Sequence, residues 1–107
     1  MAKLLEKLQY EVEVTTRPEE AITLAQNGEF DLILCDIRMP GKNGVETIRE
    51  MRKTLQRSGR NHPPVIFLTG FADAKLEEAA QTLQPIAYVY KPFDTGKLVE
   101  LIASALQ

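Results

Sequence analysis

Phe30-Asp31-Leu32-Ile33-Leu34-Cys35-Asp36-Ile37-Arg38-Met39-Pro40-Gly41-Lys42-Asn43-Gly44 is the stretch on which the fold turns. Its first part, Phe30 to Cys35, is a nearly continuous apolar run. A strand with one wet face alternates with period two, whereas a strand covered on both faces, as in a parallel sheet layered between helices, does not. From Asp36 to Gly44 the Pro, Gly and Asn content reads as a loop. A carboxylate therefore stands where a doubly covered strand gives way to a loop. In open parallel sheets, chemistry collects at such carboxyl ends.

Upstream, Leu4, Leu5 and Leu8 fall at helical spacing and predict a short amphipathic helix over residues 2–9. Tyr10 to Thr16 switches to period two, with Tyr10, Val12 and Val14 opposite Glu11 and Glu13, and reads as a strand with one wet face. Pro18, Glu19 and Glu20 suit a helix opening, Ala21, Ile22, Leu24 and Ala25 form its apolar stripe, and Asn27-Gly28 stops it. Downstream, a helix from about Val45 to Leu55 buries Val45, Ile48, Met51 and Leu55. Val65 to Thr69 and Ile86 to Tyr90 read as further apolar strands. A thin-striped helix from about Asp73 to Leu83 lies between them, with Leu76, Ala79, Ala80 and Leu83 inward. Lys91 to Thr95 turns into a final helix burying Leu98, Val99, Leu101, Ile102 and Leu106. Strand and helix alternate through short loops, which means an α/β domain on a parallel sheet.

The 107 residues are expected to form one domain, with 44% hydrophobic and 26% charged residues, as in ordinary soluble proteins. Thirteen Lys and Arg against 15 Asp and Glu give a net charge of −2, so no basic footprint for nucleic acid or an anionic membrane is expected. One cysteine makes no internal disulfide, and one histidine anchors no His-rich metal site. No apolar run approaches the roughly 20 residues of a membrane span. A cytoplasmic location follows as the expectation. Cys35 reads as a buried strand residue and His62, beside two prolines, as a solvated loop residue. Arg49, Arg52, Lys53, Arg57 and Arg60 form the one basic stretch and read as a solvated face.

Three strand ends carry polar residues directly after apolar runs: Asp36, Thr69 and Lys91. Alone, each is an ordinary turn, strand-end or surface residue. Together on one sheet edge they assemble an acid that accepts a group, a hydroxyl that holds an anionic oxygen and an ammonium that balances charge. Asp73 and Asp94 precede helices and read as caps. Tyr88 and Tyr90 are read as alternating across their strand, one toward the core and one toward the surface.

Asp36 to Gly44, then Leu68-Thr69-Gly70, then Tyr88-Val89-Tyr90-Lys91-Pro92-Phe93, resemble the receiver domain of bacterial two-component response regulators, in order and spacing and nearly end to end. The resemblance implies a flavodoxin-like (CheY-like) doubly wound parallel sheet. It implies Asp36 as phosphoacceptor at the end of the central strand, Thr69 as switch hydroxyl, Lys91 as the phosphate-pairing lysine before a cis Pro92, and Tyr88 as switch aromatic. It further implies the Arg38 backbone carbonyl as a magnesium ligand beside Asp36, Gly70 at the small position next to the switch hydroxyl, and a sensor histidine kinase or phosphotransfer protein as partner. The expected role is a signalling module, not an enzyme.

One departure stands out. Receivers usually open with an apolar strand ending in two or three acids, and this chain begins inside what resembles the helix that follows. The fold is therefore expected to be incomplete at its N-terminus, with about four strands and five helices. Asp31 is no substitute ligand, lying five residues up the strand from Asp36, roughly 16 Å away. With one carboxylate and one carbonyl, magnesium binding is expected to be weak or absent. The vacant strand position also predicts a homodimer by strand exchange, since buried unpaired backbone groups cost about 1–3 kcal/mol each. Two readings remain open: a phosphoacceptor domain, and a phosphorylation-independent receiver-like interaction module or non-functional fragment. An aspartate-nucleophile phosphatase would carry a second aspartate two residues after the first, where Arg38 stands.

Overall fold

The computed structural model describes residues 6–7, 10–11, 13, 15–38, 43–70, 73–92 and 94–106. Their elements run α1 (Pro18–Asn27), β1 (Ile33–Asp36), α2 (Gly44–Arg57), β2 (Val65–Thr69), α3 (Ala74–Gln81), β3 (Ala87–Tyr90) and α4 (Thr95–Ala105). The three strands form a parallel sheet in the order β1-β2-β3, with Ile33 beside Val65 and Ile66 beside Ala87. β2 is buried along its whole length, which is what its unbroken apolar sequence demands. Side chains alternate between two cores. One face gathers Ile33, Cys35, Val65, Phe67 and Tyr88 under Ala25 of α1, Val45, Ile48, Met51 and Leu55 of α2 and Ala80 of α3. The other gathers Leu32, Leu34, Ile66, Leu68, Ala87 and Val89 against Leu98, Leu101 and Ile102 of α4. Helices on both faces of a parallel sheet make this a flavodoxin-like, doubly wound arrangement.

Several boundaries differ from the sequence reading. β1 begins at Ile33, not Phe30, because its pairing starts only where β2 offers Val65 and the Pro64 carbonyl, which accepts from Ile33 N at 2.9 Å. Among the described residues the sheet order is β1-β2-β3, with Asp36 at the end of β1. The helix over residues 2–9 lies largely outside the described residues, although Glu6 and Lys7 are helical. Of the strand expected over Tyr10–Thr16, residues 12 and 14 lie outside them too, and the described ones carry no strand pairing. Asp73 and Asp94 are caps as expected, Asp73 accepting from Lys75 N and Leu76 N and Asp94 from Lys97 N.

The basic stretch is not simply a solvated face. Neither α1 nor α3 has a basic residue in its last turn, where unsatisfied carbonyls and the negative end of the helix dipole favour a cation. Arg60, in the connector after α2, supplies one to α1. Its Nη1 donates to Ala25 O (3.2 Å) and Gln26 O, and its Nη2 to Gly28 O (2.6 Å). Arg52 of α2 likewise donates through Nη1 to Leu83 O, just past α3, at 2.6 Å. Its Nε is buried without a hydrogen-bond partner among the described residues. Charge composition alone does not distinguish such a clasp from surface, because the acceptors are backbone atoms 31 to 35 residues away.

Removing Arg60 therefore strands three carbonyls. Arg60→Met is expected to lower unfolding stability in urea by about 1.5–3 kcal/mol. Arg52→Met costs less, since it also removes an orphaned donor, and Lys53→Ala changes stability by less than about 0.5 kcal/mol. Equal losses at Arg52 and Arg60 would contradict this account.

Candidate functional site

The ladder sets the site. Asp36 sits beside Leu68 in register, and Thr69 beside Tyr90, so the ends of β1, β2 and β3 finish nearly level. Two further bonds carry the ladder past the strands: Ile37 N donates to Leu68 O at 2.9 Å and Lys91 N to Thr69 O at 2.6 Å. The Lys91 side chain then reaches across β2, and its Nζ donates to Asp36 Oδ1 at 2.8 Å. Both side chains are about half exposed (44% and 50%), so this ion pair adds little stability and its consequence is positional. The Lys91–Pro92 bond is cis. Thr69 is buried at the end of β2, beside Tyr90 on the neighbouring strand. A Cβ added at Gly70 would meet the Lys91 side chain at an ordinary 3.8 Å, so that position is open to a methyl group.

Tyr88 and Tyr90 divide between core and surface as expected, but not by alternating across the strand. Positions two apart share a face of a strand, and their rings meet edge to face with centroids 5.4 Å apart. Tyr88 is half-buried against Phe67 in the α2–α3 core, whereas Tyr90, at the strand end, is 43% exposed. The Tyr88 Oη is enclosed and faces Thr69 without reaching good hydrogen-bond geometry. Burial first, then the Glu77 and Asp73 carboxylates, push its phenol up, with the Thr69 hydroxyl pulling the other way. Tyr90 Oη donates to Glu77 Oε2 at 2.7 Å, which, with minor contributions, pushes that phenol up to about 12.

Two residues with site roles were missed in the sequence. Gly44, the first residue of α2, packs so tightly under β1 that a Cβ there would collide with Asp36 O and come within 2.9 Å of Cys35 Sγ. Its N–H donates to Ile37 O at 2.7 Å, which clamps the chain just after Asp36. Asn43 is the N-cap: its Oδ1 accepts from Glu46 N at 2.9 Å, and its Nδ2 donates to Glu46 Oε1 at 3.2 Å. The Asn-Gly-x-Glu spacing carries that signal, although its composition alone reads as loop. Residues 39–42 of the same motif lie outside the described residues. Cys35 is buried as expected; burial first, then Asp36, pushes its thiol up to about 12, so it stays neutral and unreactive.

Among the described residues the donors at this site do not fit a magnesium ion. Octahedral oxygen coordination wants one or two uncommitted carboxylates with waters. Here Asp36 already accepts from Lys91, and among the described residues no three His, Cys, Asp or Glu side chains gather. Arg38, whose carbonyl the resemblance made a ligand, is exposed just beyond β1.

With this geometry in place, comparison with known proteins gives the class. The response regulator receiver domain family matches residues 1–103, and the chain belongs to that family. Regulatory protein AtoC of Escherichia coli is 32% identical over 98 residues, 92% of this chain and 20% of AtoC. The chain spans less than half the length of each of the first curated relatives it matches. A CheY-like receiver domain from Methanospirillum hungatei superposes with a TM-score of 0.84 at 30% identity, covering 98% of this chain and 80% of that one. A Burkholderia pseudomallei response regulator, crystallised with a phosphorylated aspartic acid, a calcium ion and citrate, superposes at 0.77 with 26% identity, covering 99% and 57%.

The Cys35 thiol gives a pH test. Its pKa rises from 9.0 unfolded to about 12 folded, so its stabilising contribution is complete below pH 9 and lost as pH climbs toward 12. Relative to Cys35→Val, the native chain should lose about 1 kcal/mol per pH unit across that window in urea titrations. Parallel curves for the two proteins would refute the burial argument.

Proposed function

We propose that Asp36 is the phosphoacceptor of a signalling receiver, charged by a sensor histidine kinase or a phosphotransfer protein. The observation that carries this reading is the Lys91 Nζ held 2.8 Å from Asp36 Oδ1 across the ladder. An Asp36 oxygen attacks the phosphorus of a phosphohistidine, the N–P bond breaks, and the imidazole departs with the bond's electron pair and takes up a proton. An acyl phosphate remains on Asp36. Lys91 then pairs with the phosphoryl oxygens, and the Thr69 hydroxyl donates to one of them. Tyr88, packed beside Thr69, carries that movement to the face where Tyr90, Glu77 and Ile86 meet solvent. The module acts in the cytoplasm by switching shape rather than by turnover, and its surface addresses proteins rather than nucleic acid or membrane.

Among the described residues Asp36 has Lys91 and no further carboxylate beside it, which favours a second reading, a receiver-like interaction module that works without phosphorylation. Incubation with acetyl phosphate and magnesium, followed by peptide mapping, separates the two. Label is expected on Asp36 alone and is lost in Asp36→Asn. Thr69→Ala should keep the label but abolish the accompanying change in Tyr88 ring resonances. Label on another aspartate overturns the assignment, and no label in the native chain establishes the second reading.

A further inference from the structure

We propose that Tyr90 is a positioning residue of the switch: its hydrogen bond to Glu77 latches the amino half of α3 onto the end of β3, and its ring then closes the outer side of the place where Tyr88 sits. The purpose of this latch rests on the reading of Asp36 as phosphoacceptor; its geometry does not. α3 is a weakly rooted helix. Of its eight residues only Ala80 is buried, and the side chains it packs against the core, Leu76, Ala79 and Ala80, are mostly small. Small side chains remove little apolar area from water, so packing alone holds such a helix loosely. Two side chains from other elements tether its ends. Arg52 Nη1 donates to Leu83 O at 2.6 Å, just past the carboxyl end. Tyr90 Oη donates to Glu77 Oε2 at 2.7 Å, in the first turn.

The second tether is placed to act on the switch. Tyr90 is the register partner of Thr69 and precedes Lys91, whose N–H donates to Thr69 O at 2.6 Å. Tyr88 lies between two rings, the buried Phe67 with centroids 6.3 Å apart and the exposed Tyr90, edge to face, at 5.4 Å. The Tyr88 hydroxyl is enclosed and lacks a well-formed hydrogen bond among the described residues. A phenol in that position regains hydration by turning outward, so its ring stays only while a wall keeps it in. An exposed side chain left free changes rotamer within nanoseconds and makes a poor wall. Bonded to Glu77, the Tyr90 ring is fixed at both ends, by its backbone in the ladder and by its hydroxyl on α3. The Glu77 carboxylate lies near both phenols, since it also helps push that of Tyr88 up. With the outer way closed, the Tyr88 ring follows Thr69 instead of swinging free.

The test uses the full chain with isotopically labelled tyrosine rings. Before any phosphorylation, Tyr90→Phe and Glu77→Ala should each speed amide exchange in α3 about two- to tenfold and raise the relaxation of the Tyr88 ring by a soluble paramagnetic agent. The double variant should be no worse than the more affected single one. Phe keeps the ring and Ala is the better helix former, so neither effect comes from lost packing in the first or lost propensity in the second. Glu77→Gln keeps an acceptor oxygen and should retain most of the native behaviour. If it instead matched Glu77→Ala, charge and not the latch would be at work, and the proposal would be overturned. Arg52→Met frees the other end of α3 and should leave the Tyr88 ring in place. With acetyl phosphate and magnesium, both latch variants should label Asp36 as fully as the native chain, while the accompanying change at Tyr88 falls about twofold or more. An unmoved Tyr88 ring in Tyr90→Phe, or equal movement in Arg52→Met, overturns the latch. Loss of label in Tyr90→Phe alone does so too, by placing Tyr90 in the transfer itself. Should the native chain take no label, the phosphoacceptor reading fails by itself, and the measurements made before phosphorylation still decide the latch.

Discussion

Hydrogen bonding of β2 on both its edges is the constraint from which the site follows. Ile66 and Leu68 face β1, while Val65 and Thr69 accept from Ile86 N and Lys91 N on the β3 side. Because the strand is enclosed on both faces, each of those backbone groups must be paired within the sheet or bear the cost of desolvation. The register this enforces brings Asp36, Thr69 and Lys91 to one level from segments 33 and 22 residues apart in the sequence. A one-residue slip in either pairing would turn the side chains to the opposite core. The Asp36–Lys91 ion pair is thus a result of the ladder and not its cause, as its exposure also argues.

The helices are fastened by a different principle. α1 and α3 end without their own cations, and α2 with its connector lends them two arginines, so α2 organises its face of the sheet as β2 organises the strands. α2 is also capped reciprocally, through Asn43 and Glu46, and its first residue touches β1. Gly44 matters because only a residue without a side chain lets the helix start against Asp36 O and Cys35 Sγ. The clamp after Asp36 is therefore set by a glycine nine residues beyond Cys35, through contact and not through sequence adjacency.

The sequence carried the layered α/β class, the strands at Leu34, Phe67 and Val89, and the three polar strand ends, because each rests on local pattern: continuous apolar runs and the residues that stop them. What escaped it depends on distant partners. The start of β1 is fixed by where β2 can pair, so Phe30 to Leu32 fall outside the strand despite their composition. Arg52 and Arg60 looked like surface because their acceptors are backbone carbonyls in other elements. The tyrosine misreading was of another kind: period two already puts residues 88 and 90 on one face, and burial differs because Tyr90 lies at the end of the sheet.

β1 is held unequally along its four residues, and the inequality matches the division of labour in the fold. At its carboxyl end Ile37 is bonded to both Leu68 and Gly44, and Asp36 to Lys91, so the Asp36 carboxylate is fixed from two elements beyond its own strand. At its amino end only the Ile33–Pro64 bond opens the ladder, and the grooves on either face meet there. Local opening costs least where backbone bonds and buried contacts are fewest. Fraying of β1 should therefore start at Phe30 to Ile33 and stop short of Asp36. The site geometry can thus persist while the lower end of the strand opens, because the bonds that hold its carboxyl end are made to β2, α2 and Lys91.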